Sequence, residues 1–298
     1  MKTESGEQIA VVANQIVQAR HRLTPLQQKV IAWGIAQIAR DDTEFMMHRL
    51  SAVQFAQLVG VDERSGSVYR NMETVTTSLL KTILEIRETE GARHRTKFQW
   101  LAECRYHDGE GVAEIRFHPK LKPYLLELRS RFTQLRLEKF FKFRSSYTIR
   151  FYELITMNKG LDRKTWTMQM GELREWLGLE PESYSFFGLL RANVIDVAQR
   201  ELDAKSDWSF SFTTLKEGRK IVGVKFNLRP ARSPKADPRQ DRWKKASPEL
   251  RTAVLEAARG RPCWDNQTDA AILADSGFWE YLDALFDEVE AGQKALPL

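Results

Sequence analysis

Two segments of the chain share one pattern: GLEPESYSFFGLLRANVIDVAQREL, residues 178–202, and GVDERSGSVYRNMETVTTSLLK, residues 60–81. Each begins with a glycine that ends a short helix, passes through a polar turn and continues into a longer helix. The longer helix carries apolar residues at three- and four-residue steps. The sequence therefore predicts two helix–turn–helix motifs. Residue identity between them is poor, so the predicted repeat is one of architecture.

The residues around the first motif predict a complete domain. LTPLQQKVIAWGIAQIAR is an amphipathic helix that begins with a Thr24–Gln27 capping box, and SAVQFAQLVG begins with a Ser51–Gln54 box. KFQWLAECRY (residues 97–106) alternates in the manner of one strand, VAEIRFH of a second, and HDGEG is the turn between them. A helix, a helix–turn–helix and a hairpin follow one another in the order of a winged-helix domain.

The same order recurs in the second half of the chain. SSYTIRFYELITMNKG predicts a helix capped by Ser145 or Ser146, and KTWTMQM predicts a strand. The segments WSFSFTTL and KIVGVKFNL alternate around the tight turn KEGR. Beyond Leu228, RPARSPKADPRQDRWKK is rich in proline and basic residues, which is typical of an extended linker.

The chain ends in DSGFWEYLDALFDEVEAG, an acidic helix with an apolar stripe that either docks on a partner or packs on its own domain. We therefore predict an α+β fold with two tandem winged-helix domains and a helical C-terminal appendage. The predicted divisions are an N-terminal leader (1–20), a first winged helix (21–128), a second (129–230), a basic proline-containing linker (231–246) and a helical tail (247–298).

Composition excludes several classes of protein. With 42% hydrophobic and 29% charged residues among 298, a packed core is expected and wholesale disorder is not. No segment is apolar enough for a membrane span, and no secretory signal is visible. Two distant cysteines and five scattered histidines have no metal-ligand spacing, and no phosphate-binding loop occurs. We expect a cytoplasmic protein that is not an enzyme and has no cofactor or metal.

Basic residues gather at turns and helix starts, and the net charge is +6. The turn LKEGRK carries Lys216, Arg219 and Lys220, and cations on such a projecting tip suit backbone phosphates. An ordinary soluble hairpin turn carries similar residues. The other candidate phosphate contacts are in GARHRTK and EKFFKFRSSYTIR, namely Arg93, Arg95, Arg144 and Arg150.

The longer helix of each motif supplies the candidate base contacts. In the second motif, Arg191 has the donors to pair with guanine and Asn193 those to pair with adenine, and Ser185 lies at the helix start. In the first motif the corresponding candidates are Arg64, Ser67, Arg70 and Asn71. Single winged helices also serve as protein-docking modules, but two in tandem on a basic chain favour double-stranded DNA as the partner.

These motifs resemble those of the plasmid replication initiator (Rep) proteins built from two winged helices. SSYTIRFYELI, LGLEPESY, VIDVAQRELDAKSD and KEGRKIVGVKF resemble segments of that family's second domain, and VVANQIVQARHRLTPLQQKVIAWGIAQI resembles its opening segment. The likeness covers about residues 9–229. The family often has a basic cluster early in the second recognition helix, where this chain has only Arg191.

The resemblance implies a function in theta-type plasmid replication in bacteria. Such initiators bind repeated origin sites, called iterons, as monomers, help to melt an AT-rich region, and recruit the host initiator and helicase. Dimers, formed mainly through the first winged helix, repress the protein's own promoter or link origins together. The implied base and phosphate contacts are Ser185, Arg191, Asn193, Lys216, Arg219 and Lys220. A transcriptional repressor and a winged-helix protein scaffold are the alternative hypotheses.

Overall fold

The computed structural model describes residues 8–39, 41–60, 67–87, 95–107, 109–128, 131–180, 182–232, 238–261, 268–274, 278 and 282–289. The chain divides into two compact units, residues 1–231 and 232–298. The division falls beside the predicted start of the linker, and both predicted winged helices lie in the first unit.

The first winged helix contains three helices and a three-stranded antiparallel sheet. Its elements are α2 (Pro25–Gln37), β2 (His48–Ser51), α3 (Ala52–Val59), α4 (Val68–Leu79), β5 (Leu101–His107) and β6 (Val112–Phe117). The strand order is β2-β6-β5. Thr24 and Ser51 form the predicted capping boxes, and Gly60 ends α3 with a φ of 76°. The residue after a helix often takes this left-handed conformation, which costs glycine little.

The second winged helix repeats this topology. Its elements are α7 (Ser146–Gly160), β8 (Thr165–Gln169), α8 (Met170–Trp176), α9 (Phe187–Leu190), a π-helical turn (Arg191–Ile195), α10 (Asp196–Lys205), β9 (Trp208–Glu217) and β10 (Lys220–Pro230). The strand order is β8-β10-β9, the same as in the first domain. Ser145 caps α7, so the first of the two predicted caps is the one used.

An extra hairpin is inserted into the first winged helix, which corrects the sequence prediction of one strand over residues 97–106. Strand β3 (Ile83–Arg87) pairs with β4 (Arg95–Gln99), and the chain then bends at Trp100 before β5. Alternation fails there because Trp100 and Leu101 are both buried. Of β4 and β5, β5 is the strand that pairs with β6 in the three-stranded sheet.

The predicted leader also contains ordered structure. Strand β1 (Ile9–Ala13) pairs with β7 (Phe132–Arg136), which precedes α7 and lies inside the predicted second domain (129–230). Helix α1 (Asn14–Gln18) follows, and its Val17 carbonyl accepts a hydrogen bond of 2.9 Å from the Trp176 indole. The N-terminal segment therefore joins parts of the chain that are far apart in sequence. The first unit is completed by a short 3₁₀ turn, α5 and α6, at Pro119–Leu121, Lys122–Leu125 and Leu137–Phe140.

A buried polar cluster fixes the N-terminal segment to the second domain. Arg150 on α7 donates Nη1 to His21 Nε2 (2.8 Å) and Glu153 Oε2 (2.9 Å), and Nη2 to the Ala19 carbonyl (2.8 Å). Nη2 also reaches the Trp176 carbonyl at 3.3 Å. We call Arg150, His21, Glu153 and Trp176 the α7 cluster. Burial and the adjacent guanidinium hold the pKa of His21 well below its ordinary value, so its ring is neutral and accepts.

The second unit is a small helical body with its own core. Helices α11 (Pro238–Lys245), α12 (Pro248–Arg259) and α13 (Asp269–Ala274) precede a helical stretch at 282–289. Trp243 packs edge-on against Phe278 with ring centroids 5.7 Å apart. Part of the predicted extended linker is thus helical, and Trp243 packs against the core of this unit. Four residues of the apolar stripe on the last predicted helix are buried in the core of this unit: Phe278, Leu282, Leu285 and Phe286. This part of the stripe therefore packs on its own domain, which was one of the two alternatives.

Candidate nucleic-acid interface

The recognition helix of the second domain runs from α9 through the π turn into α10. Leu190, Val194 and Ala198 are buried, which fixes the helix against its domain. Ser185, Arg191 and Asn193 are exposed, as their predicted role requires. The face available to DNA is therefore set by the core residues on the opposite side of the helix.

Arg191 is exposed but held in one orientation. Its Nε atom lies 3.2 Å from Asp196 Oδ2 and 3.4 Å from Oδ1, and its guanidinium lies 5.7 Å from the centre of the Phe212 ring. Arg191, Gln199, Phe212 and Thr213 line an open groove of about 470 Å³ between the helix and β9. Neither Nη atom has a bond to another described residue, so both remain available to the O6 and N7 atoms of guanine.

Asn193 keeps the two groups that recognition of adenine needs. One hydrogen of its Nδ2 is donated to the Leu189 carbonyl at 2.9 Å. The second hydrogen and the side-chain oxygen are the donor and acceptor that pair with N7 and N6 of adenine. The bond to Leu189 fixes the amide plane before DNA arrives.

The wing of the second domain ends in a turn of two residues. Gly218, with a φ of 60°, and Arg219 connect β9 to β10, and Glu217 pairs with Lys220. Lys216, Arg219 and Lys220 are all exposed. Among the described residues, none of the three has an acidic side chain within ion-pair distance. Three cations on a projecting tip are well suited to contact backbone phosphates.

The first domain carries fewer of the predicted contacts. Ser67, Arg70 and Asn71 are exposed at the start of α4. Arg64 lies outside the described residues. The hairpin that corresponds to a wing is β5–β6, and Glu110 at its turn pairs with Arg49 at 3.1 Å. This wing therefore lacks the cationic tip of its counterpart.

Two cations of the predicted turn GARHRTK, Arg95 and Lys97, lie on strand β4 of the inserted hairpin. Arg95 pairs with Glu85 across β3–β4 at 2.8 Å, and Lys97 lies 3.4 Å from the same carboxylate. Burial raises the pKa of Glu85, but these two cations outweigh it and hold the pKa below its ordinary value. Arg95 is thus partly neutralised within the hairpin, and Arg93 lies outside the described residues.

The two arginines predicted at the start of α7 have different environments. Arg144 is exposed, and its backbone N–H donates to Glu201 Oε1 at 2.7 Å. Arg150 is 3% exposed and belongs to the α7 cluster, which corrects its assignment as a DNA contact. Arg144 precedes α7 whereas Arg150 lies on the buried face of that helix, so a basic run cannot be assigned to a surface as a whole.

Two exposed apolar residues at the start of the recognition helix were not among the sequence candidates. Phe186 is 73% exposed and Leu189 is 48% exposed. The available signal was the pair Phe186–Phe187, because only one of two adjacent aromatic residues can face the core of a helix. Phe187 is the partly buried member that packs against the core.

The described residues contain no group of three or more His, Cys, Asp or Glu side chains that could hold a metal ion. In the same part of the chain, no helix has both the length and the apolar character needed to cross a membrane.

Two winged helices of one topology, with a basic wing tip beside an exposed recognition helix, define a tandem winged-helix DNA-binding protein. The chain belongs to the initiator replication (Rep) protein family. Residues 9–156 match the family model described as "Initiator Replication protein, WH1", and residues 169–228 match "Initiator Rep protein, WH2". Both matches end before the second unit begins.

Three solved structures are similar to parts of this chain. The Pi initiator protein in complex with iteron DNA has a TM-score of 0.60 and 20% identity, covering 74% of this chain and 97% of that chain. The WH1 domain of MSBI1.176, a replication protein isolated from a multiple sclerosis patient, has a TM-score of 0.27 and 18% identity, covering 34% of this chain and 79% of that chain. Domains 2 and 3 of RctB have a TM-score of 0.43 and 14% identity, covering 70% of this chain and 81% of that chain. The likeness to Pi shows a shared fold.

Proposed function

We propose that this protein initiates plasmid replication by binding iterons in the origin. The observation that carries the proposal is the repeated winged-helix topology in one compact unit, with an exposed recognition helix beside a cationic wing. Membership of the Rep family supports it. The likeness to Pi, whose solved structure includes iteron DNA, supports the choice of ligand.

The proposed interface divides affinity from sequence discrimination. Phosphates are contacted by Arg144 and by the wing cations Lys216, Arg219 and Lys220, which releases condensed counterions. Bases are contacted by side chains of the two recognition helices, whose donors and acceptors match base edges in the major groove. The proposed base contacts are Ser185, Arg191, Asn193, Ser67, Arg70 and Asn71.

The finer steps of initiation are part of the proposal. The bound protein promotes melting of an adjacent AT-rich region and recruits the host initiator and helicase in the bacterial cytoplasm. A dimer formed through the first winged helix represses the protein's own promoter. Family membership is the support for these steps, and each has its own assay: permanganate footprinting, pull-down of the host proteins, and a promoter reporter.

Footprinting of the DNA that flanks the gene is the direct test. An initiator should protect several short direct repeats beside an AT-rich stretch, whereas a simple repressor should protect one inverted repeat. Protection must extend over more than one groove segment, since two modules bind. If no DNA is protected, the protein-scaffold alternative gains support.

Salt dependence tests the phosphate contacts separately. If two modules neutralise about eight to twelve phosphates, log affinity should fall with log salt at a slope of roughly −7 to −11. Lys220→Ala should weaken all sequences alike and make the slope shallower by about 0.9. Lys164→Ala is the matched control, because Lys164 is exposed beside Leu228, at the end of β10 opposite the wing tip. A slope near zero would indicate docking to protein rather than DNA.

Arg191→Ala tests base recognition. It should cost roughly 1–3 kcal/mol on the preferred site and relax the preference at one base position. The loss should be small on unrelated DNA, in contrast to that of Lys220→Ala. If both variants weaken every sequence equally, the recognition helix does not contact bases in the way proposed.

A further inference from the structure

The start of the recognition helix exposes an apolar surface. Phe186 precedes α9 at 73% exposure, and Leu189 follows on the same turn at 48%. The Phe186 carbonyl accepts the Leu189 N–H at 3.0 Å, so the two side chains are held on one helical turn. Gly188 and Ala192, both exposed, add no bulk around them. We call Phe186 and Leu189 the apolar tip.

Among the described residues, Phe186 and Leu189 belong neither to the hydrophobic core nor to the partly buried side chains packed against it. Leu190, Val194 and Ala198 supply the buried face of this helix, and the tip points away from them. Among the large apolar side chains exposed in the described part of the chain, Phe186 is the most exposed. Clusters of exposed apolar side chains on a small protein commonly mark a binding surface.

The neighbours of the tip point to nucleic acid as the ligand. Arg191 and Asn193 follow on the same exposed helix, with the donors and acceptors that base edges require. The first turn of α9 carries no acidic residue. In the major groove of DNA, the apolar group that a base pair presents is the C5-methyl of thymine.

We propose that Phe186 and Leu189 recognise thymine methyl groups beside the base pair contacted by Arg191. This inference rests on the proposed binding of specific duplex DNA but not on the DNA being a plasmid origin. The second winged helix then combines polar recognition of a purine with apolar recognition of an adjacent A·T pair. The same methyl group occurs on 5-methylcytosine, which the experiment below separates from thymine.

Replacing thymine with deoxyuridine tests the proposal, because it removes the methyl group and keeps the pairing. The full chain first selects a duplex from a random pool, so a site is obtained whether or not the protein is an initiator. Each thymine is then replaced singly. The wild type should lose about three- to fivefold in affinity at one or two positions, as expected for burial of one methyl group.

A thermodynamic cycle assigns the effect to the tip. Phe186→Ala should weaken binding to the thymine duplex and abolish the sensitivity to deoxyuridine at one position, and Leu189→Ala at the same or a neighbouring position. Phe132→Ala and Leu161→Ala are matched controls, since both residues are exposed and lie outside the recognition helix. Both controls should keep the wild-type sensitivity. Circular dichroism checks that each variant is folded.

The outcomes separate the two proposals. A duplex that is bound without any effect of deoxyuridine, or an effect that persists in both tip variants, would overturn the role of the tip and leave DNA binding intact. Failure to select any duplex would overturn the proposed function itself. At a sensitive position, changing the T·A pair to C·G should weaken binding, and 5-methylcytosine should recover part of the loss if the methyl group alone is recognised.

Discussion

Arg150 provides a sharp test, because the sequence placed it on DNA and the structure places it in the core. In the α7 cluster its guanidinium bonds His21, Glu153 and the Ala19 carbonyl and lies 4.8 Å from the centre of the Trp176 ring. Replacing it with alanine removes every one of these contacts. A structural role and a DNA-binding role then predict opposite results in two assays.

The expected loss of stability follows from the partners left behind. Removal of one member of a buried ion pair costs about 3–5 kcal/mol, since the other charge stays buried without compensation. Glu153 would be that charge, and burial already raises its pKa even with Arg150 present. The Ala19 carbonyl would also lose its bond. At roughly 2–4 °C per kcal/mol for a unit of this size, the melting temperature of the first unit should fall by about 6–20 °C.

Calorimetry of the full chain measures the melting transition, and hydrogen exchange locates the change. Amides of α7 and α8 should exchange faster in Arg150→Ala. Arg144→Ala is the control, because Arg144 is exposed and lies two residues before the start of α7. The stability of this variant should stay within about 0.5 kcal/mol of wild type. Below its melting temperature, Arg150→Ala should keep the wild-type salt slope for DNA.

The opposite pattern would refute this reasoning. If Arg150→Ala melts like the wild type and its salt slope becomes shallower by about 0.9, then Arg150 contacts a phosphate. The α7 cluster would then have been assigned wrongly, and the packing of the N-terminal segment on the second domain with it.

Three further predictions concern other parts of the fold. Gly178→Ala should lower the free energy of unfolding by more than about 1–2 kcal/mol, because Gly178 has a φ of 67° and an added Cβ would lie 2.7 Å from the His21 carbonyl oxygen. Thermal unfolding measures the loss, and Gly188→Ala is the control because Gly188 is exposed and has open space at its Cβ. The free energy of unfolding should fall as pH drops from about 7 to 5, because the unfolded state protonates His21 near its ordinary pKa of about 6.5 and the folded state does not. His21→Asn should flatten this pH dependence, and an unchanged profile would contradict the burial of a neutral ring. Phe286→Ala should speed hydrogen exchange in residues 238–289 and leave the affinity for DNA unchanged, because Phe286 is buried in the core of the second unit. A loss of affinity would show that the second unit contributes to DNA binding.

Local signals allowed most of the architecture to be predicted. Capping boxes at Thr24 and Ser51 and the glycine that ends α3 depend on neighbours within a few residues, and the structure has all three. The repeated order of elements predicted the two winged helices for the same reason. Strand alternation predicted the β9–β10 hairpin and its turn, because a two-residue turn fixes register locally.

Contacts between distant residues were not predictable in this way. The pairing of β1 with β7 joins segments more than a hundred residues apart, so it was not predicted for the leader. Arg150 was assigned by its basic neighbours, and only the position of His21 and Ala19 shows that it is enclosed. The break at Trp100 arises because two successive residues turn inward, which no single-strand period can express.

The recognition helix was predicted from the sequence, but the contact between Arg191 and Asp196 on it was not. In a regular α-helix, residues five apart differ by about 140° and do not face each other. In the π turn, the Asp196 N–H bonds the Arg191 carbonyl, and this i→i+5 bond brings the two side chains together. A helix drawn with 3.6 residues per turn therefore separates Arg191 from Asp196. The π turn thus gives the exposed Arg191 its orientation toward Asp196.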